Sequence, residues 1–381
     1  MKDDWRCLWA NDFDPKKEAV YTANFGHSEF HLGDVAEVKA ANLPSGAAMA
    51  WASFPCQDLS LAGWRRGMSA ERSGTFWAFW RVMRDLHSHG KRPPVIVIEN
   101  VTGLFYGDAF QGLCEALGAL DMQFGAMMLD AKHFVPQSRP RAFIVAVDAS
   151  VDVSKWSSNT PCAWTTTKAL TNAYEGLDKG LKRMWRWWKM PKPDGPTVTL
   201  SDLIEYEATG VDWHTAEETK HLLNMMTPKT IIEITSMAQS STREIGMLYR
   251  RTRNGSQRAE VRCDGLAGCL RTPQGGSSRQ TVLVLQDGQI RSRLLSPREA
   301  ARLMGVPDSY ELPDKYNFAY HAMGDGVAVP VVRWLGHHLL TPVAEAAIRQ
   351  ERRAVEIKVA SRYRVRSERR VAMWEAATGV R

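Results

Sequence analysis

The stretch Val95-Ile96-Val97-Ile98-Glu99-Asn100 decides the fold, because four consecutive β-branched residues are typical of a strand buried on both faces. Further apolar runs are found at residues 7–10, 48–51 and 142–146, and helical patterns lie between them at residues 76–87 and 110–120. Strands that alternate with helices predict a doubly wound, mainly parallel α/β sheet.

The 381 residues suffice for about two domains. The alternating pattern stops near Asp148, and a helical pattern returns at Ser296. We therefore predict a first domain at residues 1–148, a second and smaller domain at 149–285, a return to the first domain at 286–345, and a basic helix or tail at 346–381.

Composition excludes several protein classes. Hydrophobic residues make up 44% and charged residues 24%, as in folded globular proteins. The apolar runs are far shorter than the roughly 18 residues of a membrane helix, and the first residues do not resemble a secretory signal, so a cytoplasmic protein is expected. Six cysteines without a C-x-x-C pair indicate neither a disulfide framework nor a metal site.

Positive charge is concentrated near the end of the chain. The net charge is +7, and residues 349–370 hold nine Arg or Lys against three Glu. A solvated surface helix and a non-specific phosphate contact are both consistent with this segment.

Three polar motifs lie where ligands bind in open α/β sheets, at or beside the ends of predicted strands. Cys56, in Phe54-Pro55-Cys56-Gln57, is either a thiolate nucleophile or an inert buried residue. Glu99 is either a general acid with a raised pKa or a helix cap. Arg139 and Arg141 lie two residues apart and form either a fork for phosphate or a carbonyl oxygen, or a surface salt bridge.

In this order and spacing, the three motifs resemble those of the C5-cytosine DNA methyltransferase family, over residues 5–150 and 290–340. The resemblance implies a Rossmann-like methyltransferase fold with a target recognition domain, and S-adenosylmethionine as cofactor. Further stretches are similar to the family's cofactor motifs: Asn11-Asp12-Phe13-Asp14, Gly33-Asp34-Val35, Arg72-Ser73-Gly74-Thr75-Phe76 and Gly324-Asp325-Gly326. The cofactor-binding residues implied by the resemblance are Asp12, Phe13, Asp34, Pro55, Thr75 and Asp325.

The resemblance also implies a mechanism. Cys56 would add to C6 of a cytosine flipped out of duplex DNA, and Glu99 would engage N3 and the exocyclic amine. Arg141, with Arg139 beside it, would hold the base carbonyl or the nearby backbone. Gln57 and Ser60 would contact the DNA.

The family's glycine-rich first motif is not found before Asn11. We expect a start site placed too far downstream, with a partner chain or a degenerate protein as alternatives. As given, the chain is expected to bind the cofactor more weakly than micromolar.

Two basic stretches lie in the predicted recognition region. Residues 182–189 interleave cations with tryptophans, which indicates either DNA contact or a Trp-rich core. Residues 250–258 form a basic segment, predicted as a loop, in which Arg250, Arg251, Arg253 and Arg258 are expected to bind DNA.

The leading interpretation is a DNA cytosine-5 methyltransferase acting on double-stranded DNA, possibly paired with a restriction endonuclease. Two alternatives are a DNA-binding relative that has lost catalysis and a tRNA cytosine-5 methyltransferase. The target sequence and the oligomeric state are not encoded in any pattern found in the sequence.

Overall fold

The computed structural model describes residues 5–54, 74–253, 255–271, 279–354 and 356–357. The strands of the N-terminal half are β1 (Ala10–Asp12), β2 (Phe30–Leu32), β3 (Met49–Ser53), β4 (Val95–Val101), β5 (Met122–Asp130) and β6 (Pro140–Asp148). The helices between them are α1 (Pro15–Phe25), α2 (Thr75–Ser88) and α3 (Ala109–Gly118).

A four-stranded sheet in the order β3-β4-β6-β5 forms the centre of this half. The strand β4 is buried on both faces, because Ile96 and Ile98 pack with α2 and α3 while Val95 and Val97 pack with helices from the end of the chain. This burial explains the uninterrupted apolar run, and it makes the sheet a three-layer α/β arrangement as predicted.

The sheet is mixed, which corrects the prediction of a mainly parallel sheet. Strands β3 and β4 are parallel, but β6 is antiparallel to both β4 and β5. The cause is local, since only residues 131–139 connect β5 to β6, and parallel neighbours need a crossover of a dozen or more residues. Strands β3, β4 and β5 therefore share one direction, and β6 alone is reversed.

The first two strands form a separate parallel pair, in which Ala10 and Asp12 face Phe30 and Leu32. The strand predicted at residues 7–10 begins later, at Ala10. Among the described residues, β3 pairs with β4 alone, and its five residues are half-buried or exposed, whereas the facing residues of β4 are buried.

The middle of the chain contains two short strands, β7 (Ser157–Ser158) and β8 (Trp187–Trp188), and five helices, α4 (Lys168–Glu175), α5 (Lys179–Met184), α6 (Leu200–Leu203), α7 (Ala216–Asn224) and α8 (Pro228–Ala238). The tryptophans of residues 182–189 are buried, and Trp185 packs edge-on against Phe110 of α3 and Phe124 of β5. Of the two interpretations of this stretch, the Trp-rich core is therefore correct.

A second four-stranded sheet follows, built from β9 (Glu244–Arg253), β10 (Ser256–Arg262), β11 (Thr281–Gln286) and β12 (Gln289–Leu294) in the order β10-β9-β11-β12. All of its pairings are antiparallel. The helices α7 and α8 and the connection between them cover one face with Leu222, Ile234 and Met226, respectively. This sheet, which the sequence did not predict, presents the basic residues 250–258.

The chain returns to the first sheet through α9 (Pro297–Leu303), α10 (Tyr316–Asp325) and α11 (Val329–Leu335), which continues into a further helical turn at residues 336–340. Within α9, Glu299 pairs with Arg293 of β12, and both side chains are fully buried. No described helix is both long and apolar enough to cross a bilayer.

Candidate active site

Glu99 lies near the end of β4, and the residue is 7% exposed. Its Oε1 is 3.2 Å from Nε of Arg141, which enters β6 opposite Val101. The hydroxyl of Ser53, the residue facing Glu99 on β3, also donates a hydrogen bond to the carboxylate. Three neighbouring strands therefore meet at this carboxylate.

Burial raises the pKa of Glu99 above its usual value of 4.5, although Arg141, Ser53 and Arg139 act to lower it. Desolvation disfavours the charged form, so this carboxyl holds its proton at a higher pH than an exposed glutamate. The helix-cap interpretation of Glu99 is wrong, because the helical turn that follows has Val101 at its N-cap and no side-chain cap. The general-acid role stays a prediction.

Asn100 anchors the start of the segment that contains Cys56. Its Nδ2 donates to the carbonyl of Phe54 at 2.9 Å, and its Oδ1 accepts from the backbone N–H of Val101 at 2.8 Å. The side chain is buried, so both bonds are shielded from water. The adjoining residues Pro55, Cys56, Gln57 and Ser60 lie outside the described part of the chain, and their predicted roles stay predictions.

Arg139 and Arg141 do point to one side, as predicted, since both approach the thiol of Cys269. Nη1 of Arg139 is 3.3 Å from this sulfur, and the two terminal nitrogens of Arg141 are 3.9 and 3.8 Å from it. Cys269 belongs to the segment before β11, so both guanidinium groups lie between the first sheet and the second.

The two arginines nevertheless differ in what they contact. Arg139 is 2% exposed, and it donates to the carbonyls of Leu270, Gly324 and Gly326 at 2.8, 2.6 and 2.8 Å. These bonds hold three separate segments together. Arg141 makes its ion pair with Glu99, two contacts with the thiol of Cys269 and one bond to the carbonyl of Pro140, so it does not tie distant backbone segments together as Arg139 does.

A second group of side chains gathers at Lys17 on α1. Its Nζ is 3.5 Å from a carboxylate oxygen of Asp12 and 3.5 Å from one of Asp325. Burial acts to lower the pKa of Lys17, but the two carboxylates outweigh it and raise the pKa. Two residues predicted to bind the cofactor, far apart in sequence, are thereby brought to one place.

Phe13 follows Asp12 and is 75% exposed, an unusual state for so large an apolar ring. Asp34 caps the turn after β2 by accepting from the N–H of Ala36, and Asn11 holds the same turn through the carbonyls of His31 and Gly33. Thr75 is the first residue of α2. An exposed ring among carboxylates fits an adenosine, which offers a flat face and hydroxyl donors.

The four predicted DNA-binding arginines lie on β9 and β10, which corrects the prediction of a loop. Arg250, Arg251 and Arg253 are on β9, and Arg258 is on β10. An Asn-Gly pair separates the strands, as is typical of a tight hairpin, and Gly255 has a φ of +76°. Arg250, Arg251 and Arg258 are exposed.

The sequence interpretation missed Asn100, Lys17 and Ser53 as site residues. Asn100 follows Glu99 directly, so its position at a strand end was the available signal. Nothing in the local pattern distinguishes Lys17 from Lys16, because only the folded chain brings Asp325 to it.

A family model for C-5 cytosine-specific DNA methylase matches residues 2–341. The chain belongs to this family. C-5 cytosine-specific DNA methylases take their methyl group from S-adenosylmethionine, the donor expected for the site at Asp12 and Phe13.

Two curated members of the methylase family are similar over most of their length. The type II methyltransferase M.HhaI of Haemophilus parahaemolyticus is 24% identical over 341 residues, with 87% of each chain covered. The type II methyltransferase M.HpaII of Haemophilus parainfluenzae is 26% identical over 357 residues, covering 88% of this chain and 83% of that protein.

Solved structures support the methyltransferase fold. The Dnmt2 methyltransferase of S. pombe superposes with a TM-score of 0.54 at 17% identity, covering 88% of this chain and 91% of that one. A Dnmt2 variant from Spodoptera frugiperda has a TM-score of 0.53 at 15% identity, covering 87% and 91%.

Proposed function

We propose that this chain methylates C5 of cytosine in duplex DNA, with Cys56 as nucleophile and Glu99 as the acid that activates the base. The observation that carries the proposal is the buried Glu99 carboxyl, bridged to Arg141 and to Ser53 at the ends of three strands. A carboxyl with a raised pKa can share its proton with N3 of cytosine, which makes C6 electrophilic.

The covalent steps balance without any further reagent. The Cys56 thiolate forms a bond to C6 while N3 receives a proton from Glu99, and the resulting enamine carries electron density at C5. S-adenosylmethionine supplies an electrophilic methyl group to C5. Transfer of the C5 proton to water and elimination of the Cys56 thiolate would restore the C5–C6 double bond, and N3 would return its proton to the Glu99 carboxylate. The cofactor would leave as the neutral thioether S-adenosylhomocysteine.

The described residues position these groups. Asn100 fixes the carbonyl of Phe54, and this bond places the main chain two residues before Cys56 beside β4. Arg141 is held by Glu99 and is assigned to the base carbonyl at O2, where a guanidinium donor stabilises developing negative charge. Arg139 is assigned a positioning role, because its bonds to Leu270, Gly324 and Gly326 occupy its terminal nitrogens.

The cofactor is assigned to the surface formed by Asp12, Phe13, Asp34 and Asp325, with Thr75 at its border. A contact with Pro55 stays a prediction, because this residue lies outside the described part of the chain. The exposed ring of Phe13 would stack on adenine, and the carboxylates would accept from hydroxyl and amine donors. Lys17 keeps Asp12 and Asp325 together by neutralising part of their charge.

Residues 149–285, together with strand β12 (Gln289–Leu294) that completes the second sheet, are assigned as the target recognition domain. A restriction endonuclease of the same specificity is an expected cellular counterpart, because two relatives are named type II methyltransferases. The target sequence follows from an experiment rather than from any residue pattern.

The test is bisulfite sequencing of a mixed-sequence duplex after incubation with the chain and S-adenosylmethionine. Methylated cytosines that are absent with Cys56→Ala are the expected result. A parallel reaction with tRNA tests the alternative that the chain is a tRNA cytosine-5 methyltransferase. Methylation of tRNA alone would overturn the assignment of DNA as substrate. Binding of DNA by wild type and Cys56→Ala without methylation by either would leave the catalytically impaired alternative.

A further inference from the structure

The hairpin of β9 and β10 has two chemically different faces. The register pairs Tyr249 with Glu260 and Arg251 with Arg258, so these four side chains share one face. Thr252 pairs with Gln257 and lies on the opposite face. Residues 250–252 and 255–258 are exposed, so this end of the hairpin projects beyond the protein core.

The face with Arg251 is turned toward the catalytic sheet. Met247, on the same face of β9, packs into the core that contains Val145 and Leu295. The charge of Asp130, at the end of β5, also acts on Arg262, the partner of Met247 in the hairpin. Strands β4 and β5 run in the same direction, so Glu99 and Asp130, near the C-terminal ends of these strands, lie at the same end of the sheet.

Arg251 makes two side-chain contacts within the hairpin. Its guanidinium lies 4.9 Å from the ring centre of Tyr249, and its Nε is 3.8 Å from Oε2 of Glu260. Tyr249 is hydrogen-bonded to the same carboxylate, which helps raise its pKa after the larger effect of burial. The side chain is still 45% exposed, so its terminal nitrogens remain accessible.

Arg258 faces Arg251 across the hairpin without an ion pair among the described residues. Two guanidinium groups directly opposite each other repel, and a polyanion between or beside them relieves the repulsion. The major groove of DNA admits a two-stranded β-ribbon, and a fixed arginine fork matches O6 and N7 of guanine. A freely rotating arginine suits a phosphate instead.

From this arrangement we infer that Arg251 reads a guanine in the target site and that Arg258 contacts the DNA backbone. The inference rests on the proposed function, because it takes duplex DNA as the substrate. It divides the basic hairpin into one specificity-determining residue and one residue that contributes affinity to every sequence.

The experiment selects duplexes from a randomised pool by binding to the full chain, and then sequences the bound fraction. Wild type should enrich a site that contains guanine. Arg251→Gln and Arg251→Lys should both lose the preference for one guanine, with a roughly 5- to 150-fold drop in affinity for the wild-type site. Arg251→Lys keeps the charge and loses only the fork, so its salt dependence should match that of wild type.

Arg258→Gln should weaken binding to all sequences alike, and it should reduce the slope of log affinity against log salt by about one. Gln257→Ala, on the opposite face, is the matched control and should retain the wild-type site. The inference is overturned if Arg251→Lys enriches the wild-type site, or if wild type enriches no guanine.

Bisulfite profiles of the same variants separate the two proposals. A wild-type chain that binds a guanine-containing site without methylating it contradicts the proposed function and leaves the assignment of Arg251 intact. Methylation at an unchanged site by Arg251→Lys would support the proposed function and contradict the assignment of Arg251. Thermal unfolding by circular dichroism confirms that each variant is folded.

Discussion

The Asn100 amide donates a 2.9 Å hydrogen bond to the carbonyl of Phe54, and this bond fixes the end of β3 beside the end of β4. Both residues are buried, so the bond couples the acid on β4 to the chain that leads into Cys56. In the proposed mechanism, the alignment of Glu99 and Cys56 would therefore depend on an amide that itself has no assigned contact with the substrate.

Asn100→Asp should lower kcat/KM about 10- to 100-fold. The aspartate carboxylate at this position has no donor for the Phe54 carbonyl, and the loss of a buried hydrogen bond costs ~1–3 kcal/mol. Gln123→Glu is the matched control. Gln123 is another buried amide that donates to carbonyls, at the opposite end of the sheet, and its change should affect stability alone. Equal loss of kcat/KM in both variants, measured by methyl transfer, would contradict the prediction.

The raised pKa of Glu99 should appear in the pH dependence of stability. The folded state binds the Glu99 proton more tightly than the unfolded chain does. This proton therefore contributes fully to the free energy of unfolding below the usual pKa of 4.5, and its contribution is lost as the pH rises through the raised pKa. Glu99→Gln removes this titration. Urea unfolding between pH 4 and 8 should show wild type losing stability relative to Glu99→Gln, and a pH-independent difference would disprove it.

The two neighbouring arginines should separate stability from activity. Arg139→Lys cannot reach all three carbonyls and should lower the free energy of unfolding by about 2–4 kcal/mol. Arg141→Lys keeps the positive charge beside Glu99 and should destabilise the protein less than Arg139→Lys does, but it should reduce kcat about 100-fold. Denaturant titration and single-turnover kinetics of both variants provide the comparison, and a reversed order of the two effects would refute the assignment.

Lys17→Met should weaken S-adenosylmethionine binding by a few-fold, because partly exposed ion pairs contribute ~0.2–1 kcal/mol each. The loss arises from repulsion between Asp12 and Asp325 once the cation is gone. Lys16→Met serves as control, since Lys16 lies over the ring of Phe318 instead. Calorimetric titration of both variants checks this, and equal affinities would show that Lys17 has no such role.

The residues with strong local patterns were predictable from the sequence. The run Val95–Ile98 identified β4, and the acid that follows it lies at the sheet end as expected. Strand β5 was missed because Met122–Asp130 contains Gly125 and three methionines, whereas its burial comes from α3, α4, α5 and Trp185. The glycine itself is required there, since a Cβ would lie 1.8 Å from the carbonyl oxygen of Arg186.

Contacts between distant segments could not be predicted in the same way. Arg139 was assigned to the substrate because its position two residues before Arg141 is all that the sequence shows. Its actual partners lie 131, 185 and 187 residues away along the chain. The hairpin at residues 250–258 was taken for a loop because arginine-rich strands lack the apolar alternation of a half-buried strand.

The edge of β3 has a consequence for behaviour in concentrated solution. A strand whose backbone donors and acceptors pair on one side only is a template for another strand, and the described part of the chain places none there. Any extended polypeptide running parallel to β3 would convert this edge into the interior of a larger sheet and shield Trp51 from water. Left unpaired, the same edge would be open to edge-to-edge pairing with a second copy of the chain.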